Sequence, residues 1–280
     1  MLKEITFAFS PCPNDTFMFD ALVNGKIDKE GLNFRFVVED VERLNEKAIN
    51  EVYDVSKLSI HAFCHVAVDY VGLTSGGAFC DDFGPVLVSK DNYTQEDIKN
   101  LVVAIPGLFT SAAYIFRIFF NPRKFLPVLF SDVEKVVFEG KADMGVIIHE
   151  NVFSFHEKGL KEVLNLGKLW QERFSLPVPL GCIAVRRSLP GEVQKKINNL
   201  IQKSLKYAFE NPTDSYNFVK RYAPKTSDDI IKKHIDTYVN AYSLQMNQSA
   251  FDAVNILYNE GVMQGDIQEI NEDLFIKDIL

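Results

Sequence analysis

Tryptophan occurs once in this 280-residue chain, and cysteine only four times. Cys12, Cys64, Cys80 and Cys182 are widely separated and form no CxxC pair, which excludes a disulfide framework and suits a reducing compartment. Low-complexity tracts, long blocks of like charge and short-period repeats are missing as well. The most apolar stretch, Leu101–Phe116, is broken by Pro106, Gly107, Thr110 and Ser111 and falls short of the roughly 18–20 residues of a membrane span. The opening "MLKEITFAFSP" is too short and too alternating for a signal peptide, so a cytoplasmic protein without membrane insertion is expected. Lysine and arginine form no stripe, and the net charge is −8, from 30 basic and 38 acidic residues. DNA or RNA is therefore not an expected partner, because phosphate neutralisation is what usually drives that affinity. No GxGxxG, Walker or G-x-S-x-G pattern occurs.

Hydrophobic residues make up 47% of the chain and phenylalanine alone contributes 23, enough for a large core. Strand and helix patterns alternate. "EITFAFS" reads as a strand, and "DTFMFDALVNG" as a helix capped by Asn14 or Asp15 and stopped by Gly25. "LNFRFVVED" is a strand, followed by a helix capped by Asp40. "YVGLTS", "PVLVSK", "LVVAIPG", "DMGVIIH" and "GCIAVRR" are further strands. "TSAAYIFRIFF" is a helix, and Ser131 with Glu134 has the spacing of a capping box. About four helices then follow: Gly191–Glu210, Asp214–Tyr222, Ser227–Asn240 and Gln248–Asn259. The alternation predicts an α/β protein with mostly parallel sheets. The helical tail exceeds what one doubly wound sheet needs. Two lobes account for it: residues 1–87 plus 186–280, and residues 88–185, with a ligand cleft between them.

Ligands of open α/β sheets bind at the carboxyl ends of strands. The residues there are Ser10–Thr16 with Asn14 and Asp15, Lys57–Leu58–Ser59, Ser75–Gly76–Gly77, Thr110–Ser111–Ala112, His149–Glu150 and Pro179–Leu180–Gly181. Several begin helices, whose free N–H groups favour an anion. Thr110 and Ser111 suit a carboxylate or polyol, although plain helix capping explains them equally well. His149 ends an apolar strand. It is a candidate general base, or else a neutral histidine bonded to backbone. Cys12 has no basic neighbour and reads as structural, and Lys57 reads as a base, an anion anchor or a surface lysine. His61, Cys64 and His65 share one helical face, but no carboxylate completes a metal site in sequence; a packed helix face is expected, without metal.

The stretch "SPCPNDTFMFDALVNGKID" resembles the N-terminal signature of the 1,4-dihydroxy-6-naphthoate synthase family, of the futalosine route of menaquinone biosynthesis. The similarity continues in order through "EDVERLNEKA", "SKLSIHAF", "SGGAFCDDFGP", "AIPGLFTSAAY", "MGVIIHEN", "LPVPLGCIAVRR" and "TYVNAYSL". The resemblance implies a two-lobed, periplasmic-binding-protein-like (type II) fold with a central cleft. It also implies a lyase without cofactor, cleaving cyclic dehypoxanthine futalosine to 1,4-dihydroxy-6-naphthoate and a sugar-derived fragment. His149 stands at the position of the family's proposed base. Substrate contacts correspond to Lys57, Leu58, Ser59, Ser111 and Ala112, with Thr110 beside them; Asn14, Asp15 and Ser75 complete the expected pocket. The expected partner is a small molecule, with a homodimer left open. Chorismate dehydratase, which shares the fold, and a non-catalytic binding protein are the alternatives.

Overall fold

The computed structural model describes residues 4–277. The chain begins with β1 (Ile5–Phe9), α1 (Pro13–Val23), β2 (Phe34–Val38), α2 (Val41–Ile49), β3 (Val55–Ser59), α3 (Ile60–His65), β4 (Tyr70–Gly72) and β5 (Ala78–Cys80). It then builds a second sheet from β6 (Val86–Ser89), β7 (Val102–Ile105), α4 (Ser111–Phe119), β8 (Lys124–Pro127), α5 (Val133–Phe138), β9 (Met144–Ile147), β10 (Lys161–Asn165) and α6 (Leu166–Phe174). The return strand β11 (Val178–Arg186) leads into α7 (Gly191–Glu210), α8 (Pro212–Tyr222), α9 (Asp228–Tyr238), α10 (Ala241–Leu244) and α11 (Gln248–Met263).

The first sheet has the order β2-β1-β3-β11-β4, with β5 also paired to β11; the second has the order β10-β6-β9-β7-β8. Strand β6 starts at Val86 and β11 at Val178, each ahead of the lobe boundary expected from the sequence. We propose that the two sheets mark the two lobes. The pairing is mixed rather than mostly parallel. β11 runs antiparallel to β3, β4 and β5, and β6 antiparallel to β9 and β10. β6 and β11 are the strands that arrive from the other sheet, so no right-handed βαβ crossover dictates their direction.

Phenylalanine builds much of the first core. Phe7 and Phe9 on β1 each meet Phe19 of α1 edge-on, with ring centroids 5.2 and 5.3 Å apart. Such contacts add roughly 0.5–1.5 kcal/mol beyond burial. α7 packs Ile197, Leu200, Ile201 and Leu205 into the same cluster. The helical tail thus covers the sheet that β1 opens. On α6 the lone Trp170 is fully buried, and its indole N–H donates to the Pro177 carbonyl at 3.1 Å.

Two predicted caps form differently. The N-cap of α1 is Cys12, with Pro13 opening the first turn, where its missing N–H costs nothing. Asn14 and Asp15 lie inside the helix. The Ser131 capping box is absent: a 3-10 turn, Phe130–Asp132, precedes α5, and no side chain caps that helix. Asp40 caps α2 as expected, accepting from the Glu42 N–H at 2.9 Å.

The candidate active site

A cavity lies between the two sheets, the kind of cleft in which small molecules bind. Its walls include Ser10, Asn14, Asp15, Lys57, Leu58, Ser59, Thr110, Ser111, Ala112 and His149. Nine of the ten expected site residues therefore meet there, from segments as distant in sequence as β1 and β9. Ser75 lies outside the lining. It is fully buried, and its backbone N–H donates to Asn198 Oδ1 of α7 at 3.0 Å.

The first wall is a buried polar network. Asp15 accepts from the Ser10 N–H at 3.1 Å, the Ser10 hydroxyl at 2.7 Å and the Asn14 amide at 2.9 Å. Lys57 Nζ stands 3.3 Å from Asp15 Oδ1 and donates to the Gly76 carbonyl at 3.3 Å. Lys57 is 5% exposed and lies within β3, not after it; the surface-lysine reading does not hold. Gly181, paired with Ser59 on the neighbouring strand, leaves room for the side chain: a Cβ there would sit 2.9 Å from the Leu58 carbonyl oxygen and 3.1 Å from the Lys57 side chain. An ammonium has three donors. Two protein oxygens lie within 3.3 Å of it, and the residue also lines the cavity.

The second wall is the start of α4. Thr110 is its N-cap, with Oγ1 accepting from the Ala113 N–H at 3.2 Å. Ser111 Oγ donates to the Leu180 carbonyl at 2.7 Å, tying α4 to β11. These hydroxyls thus cap and brace while also lining the cavity, and a helix start is a place where negative charge is favoured. The loop before α4 is clamped to the first lobe. The Phe109 N–H donates to Glu42 Oε1 of α2 at 3.1 Å, and Gly107 has φ +101° with Glu42 filling the space a Cβ would need. Gly107→Ala is expected to lower stability by roughly 1–3 kcal/mol in urea unfolding, because it adds both backbone strain and a clash.

His149 stands opposite. Its φ of +58° is left-handed, a conformation rare for a residue other than glycine and typical of functional positions. Its ring meets Phe130 edge-on at 4.6 Å and keeps part of its surface toward the cavity. Enclosure lowers its basicity below the usual 6.5. The negative charges of Glu150, Asp40 and Asp15 oppose that shift, and Lys57 adds to it. A lowered basicity favours the neutral ring at neutral pH.

Three features escaped the sequence. Cys12 Sγ lies 3.2 Å from His149 Nδ1, so this cap of α1, although outside the cavity lining, touches the lining histidine. Burial, then Glu150 and Asp15, push the thiol well above its usual range, so it stays protonated. α9 sends His234 and Tyr238 into the lining, which brings the C-terminal helices to the cleft. His234 Nε2 is 2.9 Å from Asn14 Oδ1, while its buried Nδ1 has no protein partner and can accept from a ligand. Burial and then the neighbouring His149 hold His234 far below ordinary histidine basicity. Only the three-dimensional fold unites these positions; the one available signal was the closeness of Cys12 to a helix start.

The family described as menaquinone biosynthesis matches residues 5–262. A 1,4-dihydroxy-6-naphthoate synthase of Thermus thermophilus is 34% identical over 275 residues, covering 98% of this chain and all of that one. A protein of the same name from Streptomyces coelicolor is 28% identical, with 96% of each chain covered. Among solved structures, a protein of Archaeoglobus fulgidus superposes with a TM-score of 0.88 at 33% identity, over 94% of this chain and 98% of the other. The alkanesulfonate-binding protein of Xanthomonas axonopodis pv. citri superposes with a TM-score of 0.71 at 9% identity, over 95% and 94% of the two chains. That second likeness shows the fold alone, a periplasmic-binding-protein-like α/β architecture with two sheets about a cleft. The match across nearly all of the sequence places this chain in the menaquinone-biosynthesis family.

Proposed function

We propose that this protein is an enzyme of menaquinone biosynthesis, a carbon–carbon lyase that converts cyclic dehypoxanthine futalosine to 1,4-dihydroxy-6-naphthoate, with His149 as general base. The observation that supports the reading is a histidine in a left-handed conformation lining one cavity with Lys57 and the start of α4, in a chain that aligns over 96% or more of its length with synthases of that name. Lys57 and the first turn of α4 anchor the substrate carboxylate. His149 takes the proton of a sugar hydroxyl. The oxygen becomes a carbonyl as the adjacent carbon–carbon bond breaks, and the electron pair of that bond passes into the ring, where aromatisation drives the step. Donors along the first wall stabilise the charge that develops there. In the tautomer with hydrogen on Nδ1, the ring donates to Cys12 Sγ and keeps the Nε2 lone pair for the substrate. Four free, buried cysteines suit a reducing, cytoplasmic compartment.

The test is conversion. Purified protein given cyclic dehypoxanthine futalosine is expected to form the naphthoate, and given chorismate to leave it unchanged. Consumption of chorismate would instead assign the dehydratase reaction. The pH profile examines the base. Because burial lowers the basicity of His149, the acid limb of kcat/KM is expected to lie below pH 6.5 and to fall toward tenfold per unit at the lowest pH. An acid limb centred above pH 7 would move the base to another group.

A further inference from the structure

Outside the cleft, three metal-ligating side chains converge on one point. His61 and His65 lie one helical turn apart on α3, and Asp266 follows α11. The His61 and His65 Nε2 atoms are 3.1 Å apart. Asp266 Oδ2 lies 3.3 Å from the first and 3.8 Å from the second. A point about 2.1 Å from all three atoms exists just off their plane, and zinc bonds to imidazole nitrogen and carboxylate oxygen have about that length.

Hydrogen bonding alone serves this trio poorly. If His61 carries hydrogen on Nε2, it splits that one proton between Asp266 and His65. If His65 donates to His61, a bare His61 lone pair faces the carboxylate. If both donate to Asp266, the His65 contact at 3.8 Å is too long to be a hydrogen bond. A cation satisfies all three atoms at once. We propose that His61, His65 and Asp266 form a binding site for a divalent metal of the zinc class, with water as the fourth ligand.

The placement gives the site a use. α3 directly follows Ser59 in the cavity wall, and the His61 N–H lies 3.4 Å from Ser111 Oγ of α4. The metal would pin the segment after α11 to the back of that wall. His61 is 2% exposed and stacks on Tyr114 at 4.1 Å, so one ligand is rigidly held; His65 and Asp266 are partly open, which lets an ion and a water enter. Two features limit affinity. Arg117 Nη1 is 3.8 Å from Asp266 Oδ2 and competes for it, though its side chain is 36% exposed and can turn outward. His61 Nδ1 has no partner, whereas tight zinc sites give that atom an acceptor. Micromolar affinity is expected.

The experiment uses the full chain, freed of metal by a chelator and titrated with zinc chloride in a calorimeter, with cobalt(II) in parallel as a visible-absorption probe. One equivalent of zinc, tetrahedral cobalt bands and a zinc-dependent rise in Tm are expected. His65→Ala and Asp266→Asn should each weaken zinc binding by at least about 100-fold, the upper end of what losing even a supporting residue costs. Arg117→Gln should tighten it. Binding that does not saturate at millimolar zinc overturns the site, as does zinc binding unchanged in both ligand variants. Asp266→Asn preserves side-chain shape and His65 is partly exposed, so circular dichroism can verify that these variants fold.

Discussion

His149→Asn is expected to lower the turnover of cyclic dehypoxanthine futalosine by at least about 10²-fold while leaving ligand affinity close to wild type. Asparagine is the informative replacement. It tolerates the left-handed backbone at φ +58° better than alanine does, so the local fold is kept while the base is removed. General-base catalysis contributes typically 10²–10⁴-fold, and the anchoring groups Lys57 and α4 are untouched, so kcat should fall and KM should not rise. Single-turnover kinetics and equilibrium binding together check this. Near wild-type turnover would remove His149 from the chemistry. A loss confined to binding would make it a contact residue.

Lys57→Met carries the second large effect, on stability and binding together. Asp15 is fully buried, and its Oδ1 faces Lys57 Nζ at 3.3 Å. Removing the ammonium leaves a buried carboxylate without its charge partner, which costs roughly 3–5 kcal/mol in comparable cases. Ser10 and Asn14 continue to donate to that carboxylate, which favours the lower end. The double variant Lys57→Met with Asp15→Asn removes both charges and should recover most of the stability in denaturant unfolding. It should not recover substrate binding, because the cation facing the cavity is gone. That divergence separates the two roles of Lys57; recovery of both properties would make the lysine purely structural.

Much of the architecture was legible because local signals agreed with the fold. The helix predicted over Gly191–Glu210 forms with those bounds, since its apolar positions fall on one face and Glu210 precedes Asn211 and Pro212. Strand ends pointed to the cleft because open α/β sheets place their loops there. The strand directions were not legible. β11 pairs antiparallel with β3 because it returns from the other sheet, and no periodicity encodes that. The cap of α1 was misread because Asp15 looks like an N-cap, yet its carboxylate turns back to Ser10 and Lys57. Cys12 and His149 are 137 residues apart, and His234 lies 220 residues from Asn14. Such contacts exist only once both lobes and the helical tail are packed. Ser75 lies outside the cavity lining: a small, permissive loop looks like a ligand loop, and its N–H here donates to Asn198 of α7. His61 and His65 lacked a carboxylate in sequence because the nearest one arrives from residue 266.

The most direct measurement is a single turnover with enzyme in excess over cyclic dehypoxanthine futalosine, quenched and separated by chromatography. One 1,4-dihydroxy-6-naphthoate and one sugar-derived fragment are expected for each substrate bound. Substrate recovered unchanged from folded protein that has bound it would mean a binding protein and not an enzyme.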